Sequence, residues 1–89
     1  MKISVRFYAS LAEKLQVRDR EIELVDSSDA SITQEKKVSE LLHLLLQDYP
    51  ILNDMLNTMS ISINDVYVVE DNVLKDQDRV GFMPPISGG

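Results

Sequence analysis

The sequence predicts an α+β fold in which one main helix packs on a mixed β-sheet of four or five strands. Two patterns support this prediction. Short segments in which apolar and polar residues alternate, typical of strands with one buried face, occur towards both ends of the chain. Between them lies one long segment whose leucines recur at the spacing of an amphipathic helix. At 89 residues the chain has the size of a single domain.

The first part of the chain predicts a β-hairpin with a short helix inside it. Ile3, Val5 and Phe7 alternate with polar neighbours, which indicates a strand with one buried face. Residues 9–15 are predicted to form the short helix, and residues 21–24 alternate again as the partner of the first strand. The polar stretch that follows, residues 26–37, is predicted to be an exposed loop.

The main helix is the clearest element of the sequence. Pro50 ends the segment, and the apolar residues before it follow the i, i+3, i+4, i+7 spacing: Val38, Leu41, Leu42, Leu45 and Tyr49. Additional leucines widen its apolar stripe, so we expect the helix to be heavily buried. One or two further helical turns are predicted before the chain returns to strands.

The last part of the chain predicts two or three more strands. Residues 60–63 and 66–69 flank the tight-turn pair Asn64-Asp65, and residues 79–83 form the final strand. Two hairpins around one helix favour an α+β arrangement of the β-grasp kind. In that fold the first and last strands pair in parallel at the centre, an expectation from fold knowledge and not from periodicity. We assign residues 1–83 to this domain.

Composition excludes several classes of function. The chain has 15 acidic and 9 basic residues, a net charge of -6, which opposes binding to nucleic acid or to an anionic membrane surface. No apolar run approaches the ~20 residues that span a bilayer. Cysteine is absent, so a disulfide, a thiolate nucleophile and a cysteine metal site are excluded. These features are compatible with a reducing cytosol, and we expect a soluble cytoplasmic protein.

Internal catalytic or cofactor sites are not indicated. With only three glycines there is no glycine-rich phosphate loop, so the chain itself has no recognisable means of binding ATP. His43, the single histidine, is expected to face solvent or to lie at the edge of the helix. Asp76 and Asp78 fit a solvated turn better than a metal site or an acid–base pair. Met55 and Met59 fit the core better than a binding surface. No bound metal or cofactor is predicted.

The end of the chain is the candidate functional segment. Its residues are Pro84, Pro85, Ile86, Ser87, Gly88 and Gly89. The two prolines stiffen an extended tail, which lowers the entropy lost when the tail enters a groove. Two glycines let the backbone pass through a narrow channel, and they leave the terminal carboxylate unhindered. That carboxylate becomes reactive once a partner converts it to an acyl-adenylate, because sulfide or an amine can then displace AMP.

These motifs resemble the MoaD family, the ubiquitin-like sulfur carriers that form the small subunit of molybdopterin synthase. The resemblance covers nearly the whole chain and is carried by residues 5–9, 63–65, 74–80 and 82–89. The Pro-Pro-x-x-Gly-Gly ending is specific to this family among carriers that end in Gly-Gly. Residues 26–37 are longer than the corresponding stretch usually is.

The resemblance implies a mechanism and partners. Gly89 would be adenylated by a ubiquitin-activating-type adenylyltransferase that uses ATP, and a sulfur donor would convert it to a thiocarboxylate. The tail from Pro84 to Gly89 would insert into the large synthase subunit and deliver sulfur to cyclic pyranopterin monophosphate. Phe7, Phe82 and Met83, together with Ile86, would help to bind that subunit. A place in the core is an equally good interpretation of Phe7.

Two alternatives remain open at this point. A carrier for thiamine synthesis or tRNA thiolation, or a ubiquitin-like protein modifier, would begin with the same adenylate and differ in what attacks it. A plain interaction domain would have the two terminal glycines by coincidence.

Overall fold

The structure is a computed structural model that describes residues 1–24 and 36–84. In chain order its elements are β1 (Lys2–Phe7), α1 (Ala9–Leu15), β2 (Asp19–Glu23), β3 (Lys36–Lys37), α2 (Val38–Asp48), a 3-10 helix (Pro50–Met55), β4 (Ser60–Ile63), β5 (Val66–Val68), β6 (Val73–Leu74) and β7 (Arg79–Met83). The predicted elements outside residues 25–35 therefore form where the sequence placed them, to within a few residues.

The main sheet has five strands in the order β2-β1-β7-β4-β5. Its central pair, β1 and β7, is parallel, with Val5 beside Val80 and Phe7 beside Phe82, while its other pairs are antiparallel. This is the β-grasp fold, and the predicted parallel pairing of the first and last strands is confirmed. A separate two-stranded sheet joins β3 to β6.

The core lies between α2 and one face of the main sheet. The side chains with less than 2% exposure come from both layers and are Phe7, Phe82, Ile3, Leu11, Leu41, Leu45, Leu52, Leu74, Val5 and Val80. Burying a large aliphatic or aromatic side chain stabilises a fold by about 1.5–3 kcal/mol, so this set is the main source of stability. His43 lies on the opposite side of α2 and is exposed, as predicted.

The hairpin between β4 and β5 closes through a two-residue turn. Asn64 and Asp65 both have positive φ, 50° and 71°, as a type I′ turn requires. Asn64 also holds the neighbouring turn, because its side-chain oxygen accepts a hydrogen bond from the N–H of Arg79 and its amide donates to Asp78, both at 2.9 Å. The turn thereby fixes the start of β7 as well as its own hairpin.

The prediction of a loop over residues 26–37 is wrong for its last two residues. Lys36 and Lys37 form β3, opposite Leu74 and Val73 respectively. Lys36 is only 6% exposed, and its ammonium lies 3.5 Å from a carboxylate oxygen of Glu40. This strand could not be predicted from the sequence, because its residues are polar and its pairing partner, β6, lies far along the chain. The remainder of the predicted loop lies outside the described residues.

The N-terminus of α2 is capped by a residue from another segment. Neither Lys37 nor a side chain of the helix itself supplies the cap. Instead the carboxylate of Asp71 accepts hydrogen bonds from the N–H and the hydroxyl of Ser39, at 2.9 and 2.8 Å. The side-chain hydrogen bond from Ser39, followed by the backbone one, lowers the pKa of Asp71 below its ordinary value of 3.8.

We expect this cap to make stability depend on pH. Because the pKa of Asp71 is lower in the folded state, its contribution is present above pH 3.8 and is lost as the pH falls through the folded pKa. Asp71→Ala should therefore lower the thermal midpoint at pH 7, and the gap to the parent should narrow in acid. The matched control is Asp54→Ala, at an exposed carboxylate of the 3-10 helix. A gap that stays constant down to pH 2.5 would contradict the capping role.

Candidate functional site

The outer face of the main sheet, opposite α2, carries a row of side chains that crosses every strand. Because alternate residues of a strand point to opposite faces, the inward positions of Phe7 and Phe82 send their neighbours outward. The strand register aligns Asp19, Arg6, Gly81, Ser62 and Tyr67 across β2, β1, β7, β4 and β5. The tail begins where β7 ends, at one end of this face.

Gly81 lies at the middle of the row and allows close packing above the central strand. A Cβ atom built on Gly81 would lie 2.7 Å from the Ser62 hydroxyl oxygen and 2.9 Å from the ring of Tyr8. Both distances are shorter than contacts that real Cβ atoms make, so any larger residue would displace Tyr8 or Ser62. Glycine at this position therefore lets the Tyr8 ring lie over β7.

The backbone holds Tyr8 in this position. Its N–H donates to the carbonyl of Phe82 at 3.0 Å, which continues the β1–β7 pairing by one residue. Its carbonyl accepts from the N–H groups of Leu11 and Ala12, at 3.1 and 3.4 Å, and so closes the first turn of α1. Ala9, the next residue, has a φ of 52°, a strained value for a residue with a side chain. Tyr8 remains 37% exposed, so a fixed aromatic ring faces solvent.

A second tyrosine contacts the residue from which the tail departs. Tyr67 is 66% exposed, and its hydroxyl donates to the sulfur of Met83 at 3.3 Å. Met83 and Pro84 are half-buried. Together with Gly81 and Tyr8, these residues form what we call the tail-root surface (Tyr8, Tyr67, Gly81, Met83 and Pro84). Aromatic and methionine side chains of this kind are enriched where proteins bind one another.

The rest of the outer face carries charged side chains that form oppositely charged pairs. Arg6 binds Asp19 at 2.7 Å, and Arg79 binds Asp65 at 3.1 Å. The hydrogen bond that Arg6 donates to the carboxylate of Asp19 raises the pKa of Arg6 above its ordinary value. A groove of about 490 Å³ runs between these pairs over Gly81. Exposed ion pairs like these contribute little to the free energy of unfolding. Their main effect is to hold the four charged side chains in place on either side of the groove.

The predicted partner-binding residues divide into two groups. Phe7 and Phe82 are fully buried, with ring centroids 5.7 Å apart, and the ring of Phe7 also packs nearly perpendicular to that of Tyr49. As arranged here, neither phenylalanine offers its ring to a partner, so burial favours the core interpretation of Phe7 and extends it to Phe82. Met83 is on the surface and remains a candidate contact. Sequence reasoning missed Tyr8, although the alternation that buries Phe7 directs the next residue outward.

The tail itself lies outside the described residues beyond its first member. Pro84 is the last residue that the structure describes. The predicted roles of Pro85, Ile86, Ser87, Gly88 and Gly89 therefore stay predictions.

The aspartates of the last turn hold the structure together. Asp76 accepts a hydrogen bond from the N–H of Lys2 at 2.7 Å. Asp78 is only 9% exposed, so its predicted solvated position is wrong. It accepts from the side chain of Asn64 at 2.9 Å and from the N–H of Lys75 at 2.8 Å, which keeps its buried carboxylate satisfied. Its role is to join two turns at the start of β7.

Neither a metal-binding cluster nor a membrane-spanning helix is found within residues 1–24 and 36–84, the part of the chain that the structure describes. There, histidine and carboxylate side chains do not gather in groups of three or more that could hold a metal ion. In the same residues, neither α-helix has the length and apolar character that crossing a membrane requires.

Comparison with known proteins identifies relatives along the whole chain. The sequence profile of the ThiS family matches residues 5–89. The molybdopterin synthase sulfur carrier subunit of Chlamydomonas reinhardtii is 30% identical over 91 residues, which is 100% of both chains. Identity of 30% over both full lengths is a similarity of sequence and not of fold alone.

Solved structures of similar proteins agree with this comparison. A putative subunit 1 of the molybdopterin converting factor from Pyrococcus furiosus is 26% identical, with a TM-score of 0.74, 97% of this chain covered and 99% of that one. A complex of subunits 1 and 2 of the molybdopterin-converting factor from Helicobacter pylori contains a chain that is 26% identical. That chain gives a TM-score of 0.63, with 100% of both chains covered.

Proposed function

Because this chain belongs to the ThiS family, we propose that it is the sulfur-carrying small subunit of a molybdopterin synthase. The observation that carries the proposal is full-length similarity to a sulfur carrier subunit of that enzyme, together with the terminal Gly88-Gly89. The absence of cysteine supports it further, since a carrier without a thiol needs another group to hold sulfur. The carboxylate of Gly89 is that group.

The proposed chemistry begins with activation of Gly89. An adenylyltransferase partner joins the carboxylate to the AMP part of ATP and releases pyrophosphate. A sulfur donor then displaces AMP, so that one carboxylate oxygen leaves with the AMP and sulfur takes its place. In the large subunit the sulfur passes to cyclic pyranopterin monophosphate. Water supplies the oxygen that restores the carboxylate, and the tail is ready for another cycle.

The folded domain presents the tail to each partner in turn. The tail-root surface places the ring of Tyr8 over Gly81 and the hydroxyl of Tyr67 against Met83, the residue from which the tail departs. A partner that receives the tail would cover this surface, and aromatic anchors often supply much of the binding energy in such interfaces. The complex of two subunits from Helicobacter pylori supports a large subunit as one such partner.

Replacement of Tyr8 tests this proposal. We expect Tyr8→Ala to weaken binding of the large subunit of molybdopterin synthase by about 10-fold or more, as the loss of an aromatic anchor does. The binding constant is measured by titration calorimetry with the full chain. Ile51→Ala is the matched control, since Ile51 is 45% exposed on the 3-10 helix, away from the outer face.

Three results would count against the proposal. No detectable binding of the parent chain would remove the large subunit as a partner. Equal effects of Tyr8→Ala and Ile51→Ala would remove the tail-root surface from the interface. Conjugates between the chain and lysines of other proteins, with no sulfur transfer, would favour a protein modifier.

A further inference from the structure

We propose that the outer edge of β5, which pairs with no strand among residues 1–24 and 36–84, pairs with an extended, positively charged strand of the large subunit, so that one sheet runs through both proteins. The identity of this partner rests on the proposed function. The existence of a strand-accepting edge rests on the geometry of β5 alone.

The main chain of Tyr67 points away from the sheet. In a hairpin with a two-residue turn, the residues that flank the turn exchange hydrogen bonds, here Ile63 and Val66. Such bonds alternate along an antiparallel pair. Tyr67, opposite Ser62, is therefore at the position whose N–H and C=O face outward. Since β5 is the outermost strand of the main sheet, these groups are placed to bind an added strand.

The side chains along this edge are apolar and exposed. Val66 is 64%, Tyr67 66% and Val69 98% exposed. Natural proteins usually protect an exposed edge with lysine, proline or a bulge, because an unprotected edge pairs with other chains. Residues 66–69 carry no charge and no proline. An edge of this composition is suited to pairing, and the valines would gain contacts with the side chains of an incoming strand.

Charge decides between a second copy and a different partner. An antiparallel pair of two β5 strands centred on Tyr67 would place Glu70 opposite Asn64 of the second copy, one position along the chain from its Asp65. Each copy would also carry a net charge of -6. Like charges at this distance oppose the pairing. A partner strand with lysine or arginine near the end that meets Glu70 would instead be attracted, so the edge fits a basic strand.

The edge of β5 is continuous with the tail-root surface. The hydroxyl of Tyr67 reaches Met83, the last residue of β7, at 3.3 Å. A protein that encloses the tail beyond Pro84 would therefore meet the ring of Tyr67, which reaches across β4 from the edge strand. Strand pairing there would also set the angle at which the tail enters the partner.

Amide hydrogen exchange on the full chain, free and bound to the large subunit, tests the proposal directly. We expect the Tyr67 amide to exchange at least ~10-fold more slowly in the complex, because a new hydrogen bond protects it. The Val68 amide, which faces β4, serves as the internal control and should change little. A complex that forms without slower exchange at Tyr67 would overturn the strand pairing and leave the proposed function intact.

Matched variants supply a second test. Tyr67→Pro removes the outward N–H but no bond to β4, whereas Tyr67→Thr removes the ring and keeps the N–H. We expect Tyr67→Pro to bind the large subunit about 10-fold more weakly than Tyr67→Thr, the effect of losing one main-chain bond and leaving its acceptor unpaired.

The charge of the partner strand is tested at Val69, whose exposure leaves the fold unaffected by substitution. Val69→Lys should weaken binding more than Val69→Glu, by about 3-fold or more. Equal binding of the two Val69 variants would overturn the basic strand, and equal binding of the two Tyr67 variants would overturn the pairing. Loss of binding by the parent chain itself would instead show that the proposed function has the wrong partner.

Discussion

Deletion of Gly88 and Gly89 is expected to abolish sulfur transfer and to leave the folded domain unchanged. The fully buried side chains of the described residues extend no further along the chain than Phe82, so the free energy of unfolding should change by less than ~0.5 kcal/mol. Transfer should fall to the background level, because the carboxylate that carries sulfur is gone. The measurement is formation of molybdopterin by the reconstituted synthase, with chemical denaturation to follow stability.

A chain extended by one alanine after Gly89 is the companion variant. It keeps both glycines and the full length of the tail, but its carboxylate is displaced by one residue and carries a methyl group beside it. We expect the same loss of transfer as in the deletion. Normal activity of either variant would show that the terminal carboxylate is not the carrier.

Replacement of Phe82 by alanine is expected to cause the largest loss of stability among single substitutions. Phe82 is fully buried on the central strand and stacks on Phe7 at 5.7 Å. Loss of such a ring costs about 3–5 kcal/mol, partly because a cavity remains. A domain of this length has a total stability of about 4–13 kcal/mol. The unfolding midpoint in urea, measured with circular dichroism, should therefore fall steeply.

Phe82→Leu separates a core role from a direct contact with the partner. Leucine fills most of the same volume, so the loss of stability should be only about 1–2 kcal/mol. If Phe82 acts through the core, this variant should bind the large subunit within about 3-fold of the parent. A stable Phe82→Leu chain that no longer binds would mean that the ring itself contacts the partner in the complex.

Local patterns in the sequence predicted most of the fold. The alternation around Val5 and the spacing of Leu41 and Leu45 each reflect burial of one face, and that burial is what the structure contains. Asn64 and Asp65 were predictable as a turn because few other residues accept positive φ. In each case the residues that determine the local structure lie within a few positions of it in the sequence.

Long-range contacts account for what the sequence did not reveal. The strand at Lys36 depends on Leu74, the helix cap depends on Asp71, and burial of Asp78 depends on Asn64. A polar residue looks the same in the sequence whether water or a distant partner satisfies it. The sequence alone therefore assigned Lys36 and Asp78 to solvent.

The candidate site, too, was predictable from local sequence features and not from long-range contacts. The terminal glycines carry their chemistry in the backbone and could be recognised from the sequence. The tail-root surface could not, because the contact between Tyr8 and Gly81 joins positions far apart in the chain. The resemblance named Phe7 among the partner contacts, whereas the fold buries its ring and exposes the next residue, Tyr8. A shift of one residue in a strand exchanges the buried face for the exposed face.

The most direct measurement of the central claim is the intact mass of the full chain after incubation with an activating enzyme, ATP and a sulfur donor. We expect a gain equal to the exchange of one oxygen for sulfur, located at Gly89 by fragmentation and dependent on ATP. An unchanged mass, or sulfur bound at any residue other than Gly89, would contradict the assignment of this chain as a sulfur carrier.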